Sequence, residues 1–275
     1  MKFIFYVLGS IVALVLTFSA CLYIWGAWHD EWSGYNASLG YSDGSCNIAV
    51  IPIAGDIVPF SGVTYEEEFF PMVNPDDVLA RIRQAEQDPY IGGVLMRIDS
   101  SGVAPVASEI IANALKRTPV PSVALIREMG ASGGYLIATG ADTIIASPMS
   151  DVGGIGVTMS YVENWEQNQA NGLSYVSLTS APFKDVGDPN RPLTREEKQL
   201  IERDLEIYHT QFVKEVSENR GLPFEEIEVL ADGSSMPGTL ALEKKLIDAL
   251  GDQETARNWF AGQLGLSSEE VVFCE

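Results

Sequence analysis

Four short apolar runs, at residues 47–53, 93–98, 121–126 and 143–146, are rich in β-branched side chains and bounded by turn formers, the pattern of buried strands. Helical spacing fills the gaps between them. Residues 75–87 set Val78, Leu79 and Ile82 on one face behind Asn74 as a cap, and residues 107–116 repeat the pattern. Strands that alternate with helices in this way constrain the chain to an α/β domain with parallel pairing, because each crossover helix returns the chain to the end of the sheet where the previous strand began. The 275 residues allow one large domain or two small ones.

The last third reads as helical. Thr194-Arg195-Glu196-Glu197 forms a capping box, and Leu200, Ile201, Leu205, Tyr208, Phe212 and Val216 then fall on one stripe. That stripe faces either the core or a neighbouring subunit, and core is the expected use. His209 at its edge is expected to be a packed or exposed helix position rather than a catalyst. Helices near 224–230 and 239–249 and a closing strand at 271–274 complete the pattern, without an internal repeat.

The only ionisable side chains in residues 3–28 are Cys21, Tyr6 and Tyr23, and the run is long enough to cross a bilayer core, which takes about 20 residues. Cleaved leaders also begin with apolar runs, and Phe18-Ser19-Ala20-Cys21 loosely resembles a lipobox. The run continues past Cys21 through Leu22, Tyr23, Ile24 and Trp25, longer than a leader core. Residues 1–28 are therefore expected to be an uncleaved single-pass anchor in a cell membrane. Lys2 before the run and His29, Asp30 and Glu31 after it put the N-terminus in the cytoplasm and the body outside. Residues 29–46 read as a tether and residues 47–275 as the folded domain.

Seventeen basic against 38 acidic residues, a net charge of −21, argues against nucleic acid as a partner. Cys46 and Cys274 lie near the two ends of the folded region, where a disulfide is conceivable, yet three scattered cysteines make no framework. Two histidines, His29 and His209, offer no metal-ligand spacing.

The chemistry concentrates at Ala131-Ser132-Gly133-Gly134-Tyr135, directly after the third apolar run. A serine at a strand-to-helix turn exposes its hydroxyl while the N–H groups of Gly133 and Gly134 point toward a developing oxyanion. The same string also fits an ordinary helix start. A nucleophilic serine needs a base, and neither histidine is placed to serve. Lysine is the alternative when its amine is held neutral by burial or a nearby positive charge. Lys184, in Ser180-Ala181-Pro182-Phe183-Lys184-Asp185, is the candidate.

Together with Ala141-Asp142, Gly153-Gly154-Ile155-Gly156-Val157 and Arg191-Pro192-Leu193-Thr194-Arg195-Glu196-Glu197, these motifs resemble the signal peptide peptidase family of membrane-bound serine proteases. The resemblance implies the Clp protease/crotonase-like fold, with repeated β-β-α and βαβ units and a helical C-terminal part. It implies Ser132 as nucleophile, Lys184 as general base, and Gly102 and Gly133 as oxyanion donors, with no cofactor or metal. It also implies a homo-oligomer whose active sites join the serine of one subunit to the lysine of the next. The substrates implied are hydrophobic peptides left in the membrane after signal peptidase cleavage. Two positions depart from the family pattern. Asp99-Ser100-Ser101-Gly102-Val103 stands where the family reads Asn-Ser-Pro-Gly-Gly, so the loop is expected to bend differently or to hold Gly102 in the special conformation. Gly154 stands where the family has a serine that orients the lysine, a task left to Ser150 or a water. The alternative reading is a non-proteolytic oligomeric membrane scaffold. Acyl-CoA chemistry of the crotonase type finds no support, since it needs neither a nucleophilic serine nor an anchor.

Overall fold

The computed structural model describes residues 41–60 and 72–274. The apolar run at 3–28 and most of the tether lie outside them. Among the described residues, no helix is long and apolar enough to cross a membrane.

A mixed, nine-stranded sheet organises these residues. Its main path runs β2 (Met72–Val73), β1 (Ile48–Ile57), β3 (Gly93–Val103), β4 (Ser122–Ala131), β5 (Thr143–Ala146) and β8 (Ala249–Leu250), all paired in parallel. Helices α1 (Pro75–Gln87) and α2 (Pro105–Arg117) make the crossovers. Both open on proline, which needs no N–H partner in the first turn, and Asn74 caps α1 by accepting the Asp76 N–H at 2.8 Å.

Strand alternation builds a core on each face. Ala49, Ile51 and Ile53 join Val94, Met96, Ile98, Ala124 and Ile126 under α1 and α2. Ile48, Val50, Leu95, Val123 and Leu125 point the other way, onto Ala256, Phe260 and Ala261 of α8 (Gln253–Leu264). Each fully buried side chain of this size stabilises the fold by about 1.5–3 kcal/mol. Cys46 and Cys274 are joined in a disulfide, Cα–Cα 5.3 Å, which locks β9 (Phe273–Cys274) beside the first residues of β1.

Three strands run on beyond their apolar sequence signal. At Gly55, φ +79°, a register shift lets β1 continue, so that Asp56 and Ile57 pair with Gly102 and Val103. β4 passes Ile126 by changing partners: its first half pairs with β5, and Met129 to Ala131 pair with β6 (Asp151–Gly153). β6 in turn pairs antiparallel with β7 (Ser235–Pro237). In contrast, the helix expected at 239–249 stops at Glu243. Lys245 takes a left-handed φ of +60° and the Leu246 N–H closes on the Ala241 carbonyl, which turns the chain into β8.

Candidate active site

Ser132 sits where β4 ends and α3 (Gly133–Ala138) begins, at φ +49°, ψ −122°. Few non-glycine residues hold a positive φ, and strain of this kind is kept only where surrounding contacts fix it. Here its N–H donates to the Gly153 carbonyl at 2.7 Å and its carbonyl accepts the Leu136 N–H at 2.9 Å. Tyr135, fully buried, donates its hydroxyl to the Leu246 carbonyl at 2.8 Å and pins α3 from behind. Gly134 packs so tightly that a Cβ there would lie 2.5 Å from the Ser100 carbonyl oxygen. Close packing of α3 on β3 thus demands glycine at 134, and a Cβ on Gly133 would lie 2.3 Å from Ser108 Oγ of α2.

Gly102 and Gly133, the two expected oxyanion donors, pack against each other. A Cβ on Gly102, at φ +98°, would lie 2.4 Å from the Gly133 nitrogen. Gly133 is the first residue of its helix, where N–H groups have no intrahelical acceptor. The Gly102 N–H donates to Ser100 Oγ at 3.1 Å, and that hydroxyl donates to the Gly55 carbonyl at 2.6 Å. The special conformation is not confined to Gly102: Val103 itself takes φ +110°, against the expectation for a β-branched residue. It can do so because its side chain is 65% exposed while its backbone pairs with Ile57. Asp99 accepts the Met129 N–H at 3.2 Å, a role the carbonyl of asparagine also fills.

Ser150 does not stand in for the hydroxyl missing at Gly154. Its side chain is buried, donates to the carbonyls of Ile126 and Arg127, and accepts the Ser147 N–H, so it serves to brace β4.

A cavity of about 1220 Å³ opens at Ser132. Leu136, Val157, Ile201, Leu205 and Phe212 make much of its wall apolar. Three of these lie on the stripe of α5 (Arg195–Arg220), which was expected to be core. Of α5, the buried residues are Glu197, Val213 and Val216, and its middle forms cavity wall instead. His209 also lines the cavity, a placement its sequence context did not signal. Glu109, Asp204, Glu215 and Asp232 add negative charge, and burial with Glu109 nearby pushes the Glu215 carboxyl above its ordinary value.

Lys184 is exposed and is not among the lining residues of this cavity. It lies on the segment 157–194, whose one helix, α4 (Trp165–Ala170), has no buried residue. Val162, Val176 and Leu178 are at least 75% exposed there, so the segment leaves apolar surface uncovered.

An ionic cluster that no sequence motif signals lies beside the residue after Lys184. Arg191 bonds Glu197 through both guanidinium nitrogens, at 2.8 and 2.5 Å, and reaches the Asp185 carboxylate at 3.1 Å. Its hydrogen bonds hold the Glu197 carboxyl down at about 2. Since the folded value is depressed from an ordinary 4.5, the stability this contributes is complete above about pH 4.5 and fades as pH falls toward about 2. The gap in Tm between the parent protein and Glu197→Gln is therefore expected to stay constant from about pH 8 to 5 and to narrow below about pH 4.5, read by calorimetry across pH.

The fold is thus an α/β scaffold that holds a strained serine at a strand-to-helix turn, with Gly102 packed on Gly133 behind it and an open, partly apolar cavity in front. The chain belongs to Peptidase family S49, a family of serine proteases, whose model matches residues 114–267. Protein MJ0651 of Methanocaldococcus jannaschii is 32% identical over 191 residues, 68% of this chain and 61% of that one. Protein slr0021 of Synechocystis sp. is 34% identical over 196 residues, 70% of each. Protease 4 of Salmonella typhi is 31% identical over 189 residues, 67% of this chain and 30% of that protein. The chain thus spans between 30% and 70% of the length of these relatives. The 1510-N membrane-bound stomatin-specific protease, solved as a mutant, shares the fold at a TM-score of 0.54 and 15% identity, covering 84% of this chain and 94% of that one.

Proposed function

We propose that this chain is a membrane-anchored serine endopeptidase with a Ser132–Lys184 dyad, degrading residual signal peptides or other hydrophobic peptides drawn from the membrane. The observation that carries the reading is Ser132 at a strained turn, opening onto a large apolar cavity beside the Gly102 and Gly133 amides. Lys184 stands outside that cavity on an exposed apolar segment, which suits a homo-oligomer in which each copy's segment reaches a neighbour's Ser132. In such an assembly Lys184 takes the Ser132 proton as the hydroxyl attacks the scissile carbonyl, and returns it to the leaving amine. Gly133 and Gly102 then hold the oxyanion. For Gly102 this requires its N–H to leave Ser100 Oγ, a rotation its glycine backbone permits. A disulfide between Cys46 and Cys274 fits an oxidising compartment, and so a catalytic domain on the outer face of the membrane.

The engaged Gly102 amide and the missing hydroxyl at Gly154 favour the second reading, a scaffold that has lost catalysis. Fluorophosphonate labelling of the assembled full chain separates the two. Labelling at Ser132 that slows to a small residual rate in Lys184→Ala supports the dyad, and co-assembling Ser132→Ala with Lys184→Ala subunits is expected to restore part of the activity. Absence of label on the parent chain supports the scaffold.

A further inference from the structure

The segment that carries Lys184 has no buried helix and no strand of its own, so something else must fix where the lysine stands. The amine does not fix itself: among the described residues it forms no hydrogen bond or ion pair. The Lys184 N–H makes a local turn contact to the Ala181 carbonyl at 3.3 Å. The next residue is held far more firmly. Arg191 Nη2 donates to the backbone carbonyl of Asp185 at 3.0 Å and to its carboxylate at 3.1 Å. The other Asp185 oxygen accepts the Ser177 hydroxyl at 2.5 Å.

The anchor at the far end is rigid. Glu197 is 2% exposed in the first turn of α5, where its carboxylate accepts the Thr194 N–H at 2.9 Å and its own N–H donates to Thr194 Oγ1 at 3.2 Å. Its remaining hydrogen-bonding capacity goes to the guanidinium of Arg191. A line of charge-assisted bonds therefore runs from the helix through Glu197 and Arg191 to the carbonyl of Asp185, the residue directly after Lys184.

We propose that Arg191 is a positioning residue that sets the reach of Lys184 by clamping the Asp185 peptide to Glu197. This rests on the reading of Lys184 as general base. Arginine suits the task because its planar fork meets two carboxylates and a carbonyl at once, which a lysine ammonium does not. Arg191 is not among the lining residues of the Ser132 cavity, so its loss is expected to leave peptide binding intact and to displace only the base. A displacement of 1 Å in a reacting group costs about 10²-fold in rate.

The test uses the assembled full chain, measuring kcat and KM on an apolar peptide and the rate of fluorophosphonate labelling. Arg191→Ala is expected to lower kcat and labelling about 10²-fold at unchanged KM. Arg191→Lys is expected to restore only part of that loss. In a Lys184→Ala background, Arg191→Ala is expected to slow labelling no further, because the two act through one group. A further loss in that background, or full activity in Arg191→Ala, overturns the proposal while the dyad stands. Full activity in Lys184→Ala overturns the dyad reading and the clamp with it. If Arg191→Ala fails to assemble, Asp185→Ala keeps the Arg191–Glu197 pair and the fold. It is expected to slow labelling about tenfold at an unchanged Tm, and an unchanged rate overturns the proposal.

Discussion

Replacing Ser132 with glycine is expected to make the protein more stable and inactive. The residue sits at φ +49°, ψ −122°, a conformation that costs a side-chain-bearing residue about 1–3 kcal/mol. Glycine adopts it freely but carries about 0.5–1 kcal/mol of extra unfolded-state entropy. The net expected gain is about 1 kcal/mol, seen as a rise in Tm. Ser132→Ala keeps the Cβ and the strain, so its Tm is expected to match the parent. Both variants lose the attacking oxygen, and kcat is expected to drop by on the order of 10⁴- to 10⁶-fold. A serine merely capping a helix predicts another pattern, with stability falling in both variants and activity surviving. Here Ser132 makes no side-chain cap bond, so its hydroxyl contributes nothing to the helix that its removal would cost.

The same turn shows what the sequence made legible. Ser132 and Gly133 belong to a string whose local geometry, a strand end running into a glycine, is set by a few adjacent residues, whereas the packing of Gly102 on Gly133 was implied only by the family resemblance. The capping box at Thr194 is also local, and the Thr194 and Glu197 bonds form as the sequence requires. What escapes depends on distant partners. β3 looks finished at Ile98 because Asp99-Ser100-Ser101-Gly102 resembles a turn, yet β1, shifted at Gly55, pairs it onward to Val103. Arg127 and Glu128 hide the second half of β4, which β6 pairs from 22 residues further along the chain, Met129 with Asp151 and Ala131 with Gly153. The stripe on α5 is amphipathic, but periodicity gives the apolar face and not what covers it; Leu205 and Phe212 face a cavity. Arg191 was visible only as one residue of a motif, since its bond to Asp185 depends on how residues 185–191 fold back.

Breaking the Cys46–Cys274 disulfide is expected to lower stability by about 3–5 kcal/mol and Tm by roughly 10 °C. The bond spans 228 positions, nearly the whole folded domain, so the open unfolded chain gains the entropy of a very long loop. The end it holds is otherwise secured without covalent ties: the Asn47 side chain donates to the Glu270 carbonyl at 2.7 Å and accepts the Val272 N–H at 2.9 Å, and Arg257 donates to the Val271 carbonyl. β9 has two residues paired with Ile48 and Ala49, supported by the Asn47 and Ile48 N–H groups donating to the Val272 carbonyl at 2.9 and 3.0 Å. Reductant is expected to lower the Tm of the parent protein and leave Cys274→Ser unmoved. Equal Tm values for parent and variant would show that pairing of β9 and the packing of Val271 beside Phe260 suffice without the cross-link. Activity well below the transition is expected to be unaffected, for a reason that lies in the sheet. Cys46 precedes the first residue pair of β1, whereas Ser132 follows the last of β4. In a parallel sheet those positions lie at opposite ends of the strands. The covalent tie thus secures the end of the domain remote from the nucleophile, and its loss is felt as global unfolding rather than as a change in how Ser132 reacts.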